Sequence, residues 1–261
     1  MEIKTLVLYG YGINCDNETK RAFELAGATA ERVHLNELIG GEASLADYHI
    51  LAIPGGFSFG DDLGAGKIMA TKIKYTLATK FADFISQGKL LIGICNGFQV
   101  LVKLGILPGF GGKFNEQDAT LAANVCGRFQ DRWIRLKFNP KSPCVWTKGI
   151  DVLDLPIRHG EGNFIPEDDQ VLSKLEKQGQ IAAQYIDGNG ELAGWPANPN
   201  GSVKNIAGIC DETGRVFGLM PHPEGYLIAQ NHPKWTRGVM LDGPGRKIFE
   251  NAVDFARIHL G

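Results

Sequence analysis

The stretch Leu90-Leu91-Ile92-Gly93-Ile94-Cys95-Asn96-Gly97 joins an apolar run to the start of a helical pattern over residues 96–104. Its run is that of a buried strand, and the junction matches a G-x-S-x-G nucleophile elbow with cysteine in place of serine. A sharp strand-to-helix turn crowds the backbone, and glycine on both sides of Cys95 removes the side chains that would clash. The helix start beside Cys95 offers free N–H groups and a positive dipole end, which favour a thiolate, the attacking form of the group. A cysteine that merely ends a buried strand would have no need of both glycines.

Working outward, short apolar runs alternate with amphipathic stretches, the pattern of parallel strands with crossover helices. Leu6-Val7-Leu8 reads as a first strand followed by a helix over 17–27, Val33 and Leu35 as a second strand, and Ile50–Ile53 as a third that stops at Pro54-Gly55-Gly56. Residues 66–87 carry one long helical pattern closed by Gly88. After Gly105 the period changes: Trp133–Phe138 alternates apolar with polar residues, as in an antiparallel strand. Strands are also expected at Asp154–Ile157, Ile181–Tyr185, Ile206–Cys210 and Val216–Met220, with a final helix over about Gly245–His259. The expected fold is α/β, with a central mixed sheet, helices on both faces and an antiparallel subregion. In such sheets ligands gather at the carboxyl ends of the parallel strands, which singles out the loops after Ile53 and Ile94.

Composition sets limits on function. With 27 Lys and Arg against 29 Asp and Glu the formal charge is -2, so electrostatics gives no case for nucleic acid or an anionic membrane. The start Met1-Glu2-Ile3-Lys4 lacks the pattern of a signal peptide, and the apolar region near residues 90–107 is broken by Asn96, Gln99 and Lys103. A cytoplasmic protein is expected. The five cysteines lack C-x-x-C pairing, so neither a disulfide framework nor a metal site is expected. Cys15, in Asn14-Cys15-Asp16-Asn17, also follows a strand but has no glycine elbow and is expected to be structural.

A cysteine nucleophile needs a histidine, and six are present. His222 lies in Met220-Pro221-His222-Pro223-Glu224, where the prolines favour an extended chain that points residues 222 and 224 the same way. Glu224 is then placed to fix the tautomer of His222 and stabilise its imidazolium. His159, in Arg158-His159-Gly160-Glu161-Gly162, competes for the role of base; its glycines suggest a loop approached by a ligand, so substrate or interface contact is expected of it. For the oxyanion, the N–H of Asn96 is one donor, and the bare backbone at Gly56 in Pro54-Gly55-Gly56-Phe57 is the second.

GICNGFQ at 93–99, PGGFSFGD at 54–61, HGEGNF at 159–164, NPNGS at 198–202 and GLMPHPE at 218–224 together resemble the glutaminase subunits of phosphoribosylformylglycinamidine synthase, in the class I glutamine amidotransferase family. The matches run in order from about Gly10 to Glu224. The resemblance implies a flavodoxin-like domain and a triad of Cys95, His222 and Glu224. It further implies an oxyanion hole at Gly56 and Asn96, and contact with L-glutamine by Gln99, Phe57, His159, Gly160 and Glu161. It implies no cofactor or metal in this chain. ATP and Mg are expected on a large synthetase subunit that acts with a small accessory subunit in purine synthesis, and no G-x-x-x-x-G-K-[ST] loop occurs here.

The chain departs from that pattern at Gly225, where the family usually has arginine, in the long Tyr226–Gly243 segment, and at Asp62–Gly66, which lacks a common arginine. Residues 1–261 are expected to form a single domain with a C-terminal extension over 225–261. Two other readings are the glutaminase of another synthase or a free-standing gamma-glutamyl hydrolase, and an inactive amidotransferase-like binding subunit. Glutaminase turnover without a synthetase would mark the first. Intact Cys95, His222 and Glu224 argue against the second.

Overall fold

A computed structural model describes residues 1–113, 116–237 and 243–260; part of the Tyr226–Gly243 segment therefore lies outside the described residues. In chain order the elements are β1 (Lys4–Tyr9), α1 (Asp16–Leu25), β2 (Thr29–His34), α2 (Leu35–Gly40), β3 (Ile50–Ile53), α3 (Lys67–Thr76), α4 (Ala78–Ser86), β4 (Leu90–Ile94), α5 (Asn96–Lys103), β5 (Ala119–Ala122), β6 (Gln130–Phe138), β7 (Val152–His159), β8 (Asn163–Pro166), α6 (Asp169–Lys177), β9 (Ile181–Ile186), β10 (Ile206–Cys210), β11 (Val216–Leu219) and α7 (Arg246–His259).

A nine-stranded sheet runs in the order β2-β1-β3-β4-β11-β10-β9-β6-β7, and β5 pairs with β8 in a separate two-stranded sheet. The first five strands of that order are mutually parallel, and β10, β9, β6 and β7 continue it antiparallel. Every residue of β3, β4 and β11 is buried, as expected of strands covered on both faces. Strand β6 alternates instead, with Ile134, Leu136 and Phe138 buried and Arg135 and Lys137 exposed. The crossover from β1 to β2 steps one way along the sheet and that from β3 to β4 the other. Right-handed crossovers then put α1 on one face and α3 and α4 on the opposite one. Helix α7 joins α1, with Phe23 and Phe249 edge to face at 5.0 Å.

The register levels the strand ends that matter. Ile53 pairs with Gly93 and Leu219 with Ile94, so Pro54, Cys95 and Met220 leave the sheet side by side. The order reverses between β1 and β3, and the loops after these strands are knitted at that switch point. There Asn14 and Cys15 N–H donate to the Gly55 carbonyl at 3.3 and 3.2 Å, and Phe57 N–H donates to that of Gly12 at 2.8 Å.

Three sequence expectations are corrected. Leu35 is not in a strand: β2 ends at His34, whose side chain accepts from Asn36 N–H while Glu37 caps the His34 N–H, and Leu35 is buried as the first residue of α2. The single helix expected over 66–87 is two, broken at Leu77 (φ -130°, ψ 4°). Its apolar period continued through the break because Ile73, Leu77 and Phe81 all enter one core. Finally, β5, β8, α2 and α6 were not anticipated. The strands β5 and β8 have four residues each and α2 six, too short to carry a period, whereas α6 does place Val171, Leu172 and Leu175 on one side at helical spacing and fully buries only Leu175.

Candidate active site

Cys95 sits at φ 51°, ψ -104°, a positive-φ conformation that is strained for a residue with a side chain. The two elbow glycines are what let the turn close. A Cβ on Gly97 would lie 1.8 Å from the Ile53 carbonyl oxygen, and one on Gly93 would lie 2.6 Å from the Gly97 backbone. Cys95 N–H donates to the Leu219 carbonyl at 2.8 Å, which ties the elbow to β11, and its buried thiol donates to the Arg158 carbonyl at 3.6 Å.

Beyond β11 the chain carries His222 and Glu224, both buried, and His222 Nδ1 meets Glu224 Oε1 at 2.5 Å. The extended geometry expected of this segment holds for His222 (φ -106°, ψ 93°), while Glu224 lies in a short 3-10 turn over Pro223–Gly225. The His222 N–H donates to the Pro156 carbonyl at 2.9 Å, so the edge of β7 holds the imidazole's backbone. Burial favours the neutral ring, but the Glu224 carboxylate and the Cys95 sulfur outweigh it and hold the proton affinity of His222 well above the usual imidazole range. The arrangement suits a thiolate paired with an imidazolium, which has a proton to give to a leaving amine. Gly225 packs on β7: a Cβ there would lie 2.8 Å from Pro156 Cγ.

Cys15 enters this centre, although its sequence context gave it no role. Its Sγ, a ring nitrogen of His222 and a Glu224 oxygen lie within 4.8 Å of one another, the one such grouping with metal-ligand spacing among the described residues. Within this set His222 and Glu224 already bond each other.

The glycine loop after β3 runs beside the thiol, with a notional Gly55 Cβ 3.4 Å from Cys95 Cβ. Phe57 N–H is taken by Gly12, whereas Gly56 is the non-bonded partner of Ile13 in an isolated bridge and keeps its N–H free. Asn96 opens α5, so its N–H has no intrahelical partner. Its fully buried side chain links α5 to the loop after β3: Oδ1 accepts from Ser58 N–H at 3.2 Å, and Nδ2 donates to Asp61 Oδ1 at 3.0 Å and to Gln99 Oε1 at 2.9 Å. Asp61 Oδ1 also accepts from Gly66 N–H at 3.1 Å. Burial raises the Asp61 carboxyl above its ordinary range, and these two donors pull it partly back.

Gln99, expected to touch substrate, has its amide engaged within the protein, donating to the Glu161 carbonyl at 2.5 Å. The Glu161 carboxylate accepts from Ala65 N–H at 3.0 Å, which fastens the 159–164 loop to the 62–66 loop. Phe57 is 45% exposed, 6.2 Å from the Phe129 ring. The carbonyl of Gly160 accepts from Asn124 N–H at 2.8 Å.

His159 is buried against Asn124. The Asn124 amide is oriented by donating to the His159 and Arg128 carbonyls (2.9 Å each) and accepting from Gly162 N–H (3.0 Å), so His159 Nδ1 must donate to Asn124 Oδ1 at 3.1 Å. Its Nε2 is left as a buried acceptor without a hydrogen-bond partner. Burial, then the nearby His222, push its pKa down to about 3, so the ring is neutral. Asn124 and Asp61 are the residues that sequence reasoning missed. Nothing around Asn124 signals its role, whereas Asp61 stands at the end of the PGGFSFGD run with the left-handed φ of 54° that Asp tolerates.

No described helix is long and apolar enough to cross a membrane. Residues 2–256 match the CobB/CobQ-like glutamine amidotransferase domain. The phosphoribosylformylglycinamidine synthase subunit PurQ of Dehalococcoides mccartyi is 48% identical over 258 residues, 98% of each chain. The subunit of the same name from Archaeoglobus fulgidus is 40% identical over 97% of each chain. Among solved structures, one of PurLQS from Thermotoga maritima superposes with a TM-score of 0.75 at 28% identity, covering 98% of this chain and 99% of that one. With a family match over almost its whole length and relatives of this identity, the chain belongs to the CobB/CobQ-like glutamine amidotransferase family and, within it, groups with the PurQ subunits.

Proposed function

We propose that this chain is the glutaminase of a phosphoribosylformylglycinamidine synthase. The observation that carries the chemistry is a cysteine on a strained strand-to-helix elbow beside a buried His–Glu pair and a glycine loop with a free N–H. Cys95 attacks the side-chain amide carbon of L-glutamine, and the Gly56 and Asn96 N–H groups receive the charge that develops on oxygen. His222, held by Glu224, protonates the departing nitrogen to release ammonia. A water activated by the now neutral His222 cleaves the thioester to glutamate and restores the thiol. Gln99, Glu161, Gly160, Phe57 and His159 frame the glutamine pocket.

The ammonia passes to a separate synthetase, which uses ATP and Mg to convert formylglycinamide ribonucleotide to its amidine, with a small accessory subunit completing the assembly. The relatives' name and the PurLQS assembly of the Thermotoga maritima structure support this setting. Residues 1–261 are read as one domain, with 225–261 as an extension whose α7 rests on α1, and the protein as cytoplasmic. The test is His222→Ala in the assembled enzyme. Glutamine-dependent synthesis is abolished while synthesis from added ammonia persists; equal loss of both would refute the assignment.

A further inference from the structure

The two oxyanion donors belong to different segments, and one side chain spans both. Gly56 lies on the loop after β3, and Asn96 on the first turn of α5. The Asn96 carboxamide joins them: its oxygen holds Ser58 N–H, two residues beyond Gly56, and its nitrogen reaches Asp61 and Gln99. The sense of that carboxamide matters, because only with oxygen toward Ser58 and nitrogen toward Asp61 are all partners satisfied. Asp61 is the acceptor that enforces this sense from the loop side, and the same oxygen closes the loop on itself through Gly66 N–H.

We infer that Asp61 is a positioning residue for the oxyanion hole, its Oδ1 locking the Asn96 side chain and thereby setting the Gly56 N–H relative to the Asn96 N–H. The inference rests on the glutaminase reading above. Asp61 does not touch the reacting atoms. What it supplies is an acceptor at one point, and a misplacement of donors by about 1 Å costs on the order of 100-fold in rate.

Two variants separate this role from a merely conformational one. Asp61 has φ 54°, where glycine is at ease and asparagine is tolerated. Asp61→Gly relieves the backbone and removes the acceptor, whereas Asp61→Asn keeps an oxygen acceptor and its left-handed tolerance. In the assembled synthase, the Gly variant is expected to lose about 10- to 100-fold in kcat with KM changed by less than about three-fold, and the Asn variant to stay within about three-fold of the parent in both. Alkylation of Cys95 by iodoacetamide, which needs no oxyanion hole, should proceed in the Gly variant at the parent rate.

A Gly variant with the parent kcat, or an Asn variant as impaired as Gly, overturns the inference. So does a fall in Cys95 alkylation that parallels the fall in kcat, since the elbow itself would then have moved. Cys95→Ala, run in parallel, must lose glutamine-dependent synthesis and keep that from ammonia. If it keeps both, the glutaminase reading fails; if it behaves as stated and Asp61→Gly does not, only the role of Asp61 fails.

Discussion

At the scale of single residues, the centre is built from side chains whose chemistry is set by what they touch. His159 shows this through pH. Its pKa is about 6.5 in an unfolded chain and about 3 in the fold, depressed by burial and then by His222. Between these values the unfolded state binds a proton that the folded state does not. This contribution to stability is therefore intact above pH 6.5 and is lost as the pH falls toward 3, by up to about 1.4 kcal/mol per pH unit. His159→Gln removes that titration. Urea unfolding measured from pH 7 to pH 4 is expected to show a shallower loss of stability for the variant, by about one proton; an unchanged slope would mean that His159 titrates normally. Cys95, His222 and Glu224 were legible as candidates because glycine and proline mark the backbone beside them. Asn124 and Asp61 were not, because an asparagine or aspartate reveals its role only when distant partners such as Gly162 or Asn96 are brought to it.

At the scale of elements, the elbow depends on contact between α5 and the end of β3. Gly97 makes that contact with no room to spare. Gly97→Ala is expected to destabilise the fold by at least the ~1–3 kcal/mol typical of overpacking and to lower glutaminase activity, because relief of the clash must shift α5 and with it Cys95. Parallel measurement of the urea midpoint and of glutamine hydrolysis checks this, and a variant of unchanged midpoint and rate would refute it. The strands β1, β3, β4, β6 and β11 were legible from their apolar periods. The break at Leu77 was not, because both helix halves feed the same core and the hydrophobic period does not register a change of direction.

At the scale of the whole molecule, the nine-stranded order places four strand-end segments around one point: residues 10–15 after β1, 54–57 after β3, Cys95 after β4 and 220–224 after β11. The sequence signalled the segments after β3, β4 and β11 and their meeting in one site, but not the arrival of residues 10–15, which follows from the crossover that carries the chain from β2 past β1 to β3. A centre assembled from four segments, with Phe57 and Phe129 uncovered beside it, is suited to adjustment by a docked partner. We expect slow glutamine hydrolysis by the isolated chain and a rise of at least about ten-fold on addition of the synthetase and its nucleotide. Fast turnover by the chain alone would instead identify a free-standing hydrolase.

The hold of β7 on the catalytic segment works in both directions. As the last strand of the sheet, β7 would present a template for strand addition by another chain. Pro156 removes one donor from that border, the Pro156 carbonyl is taken by His222 N–H, and Gly225 presses on the proline ring. The segment that carries His222, the proposed base, thus also blunts an adhesive edge, so that a change loosening His222 from Pro156 is expected to bring self-association, seen by size-exclusion chromatography, together with loss of glutamine hydrolysis.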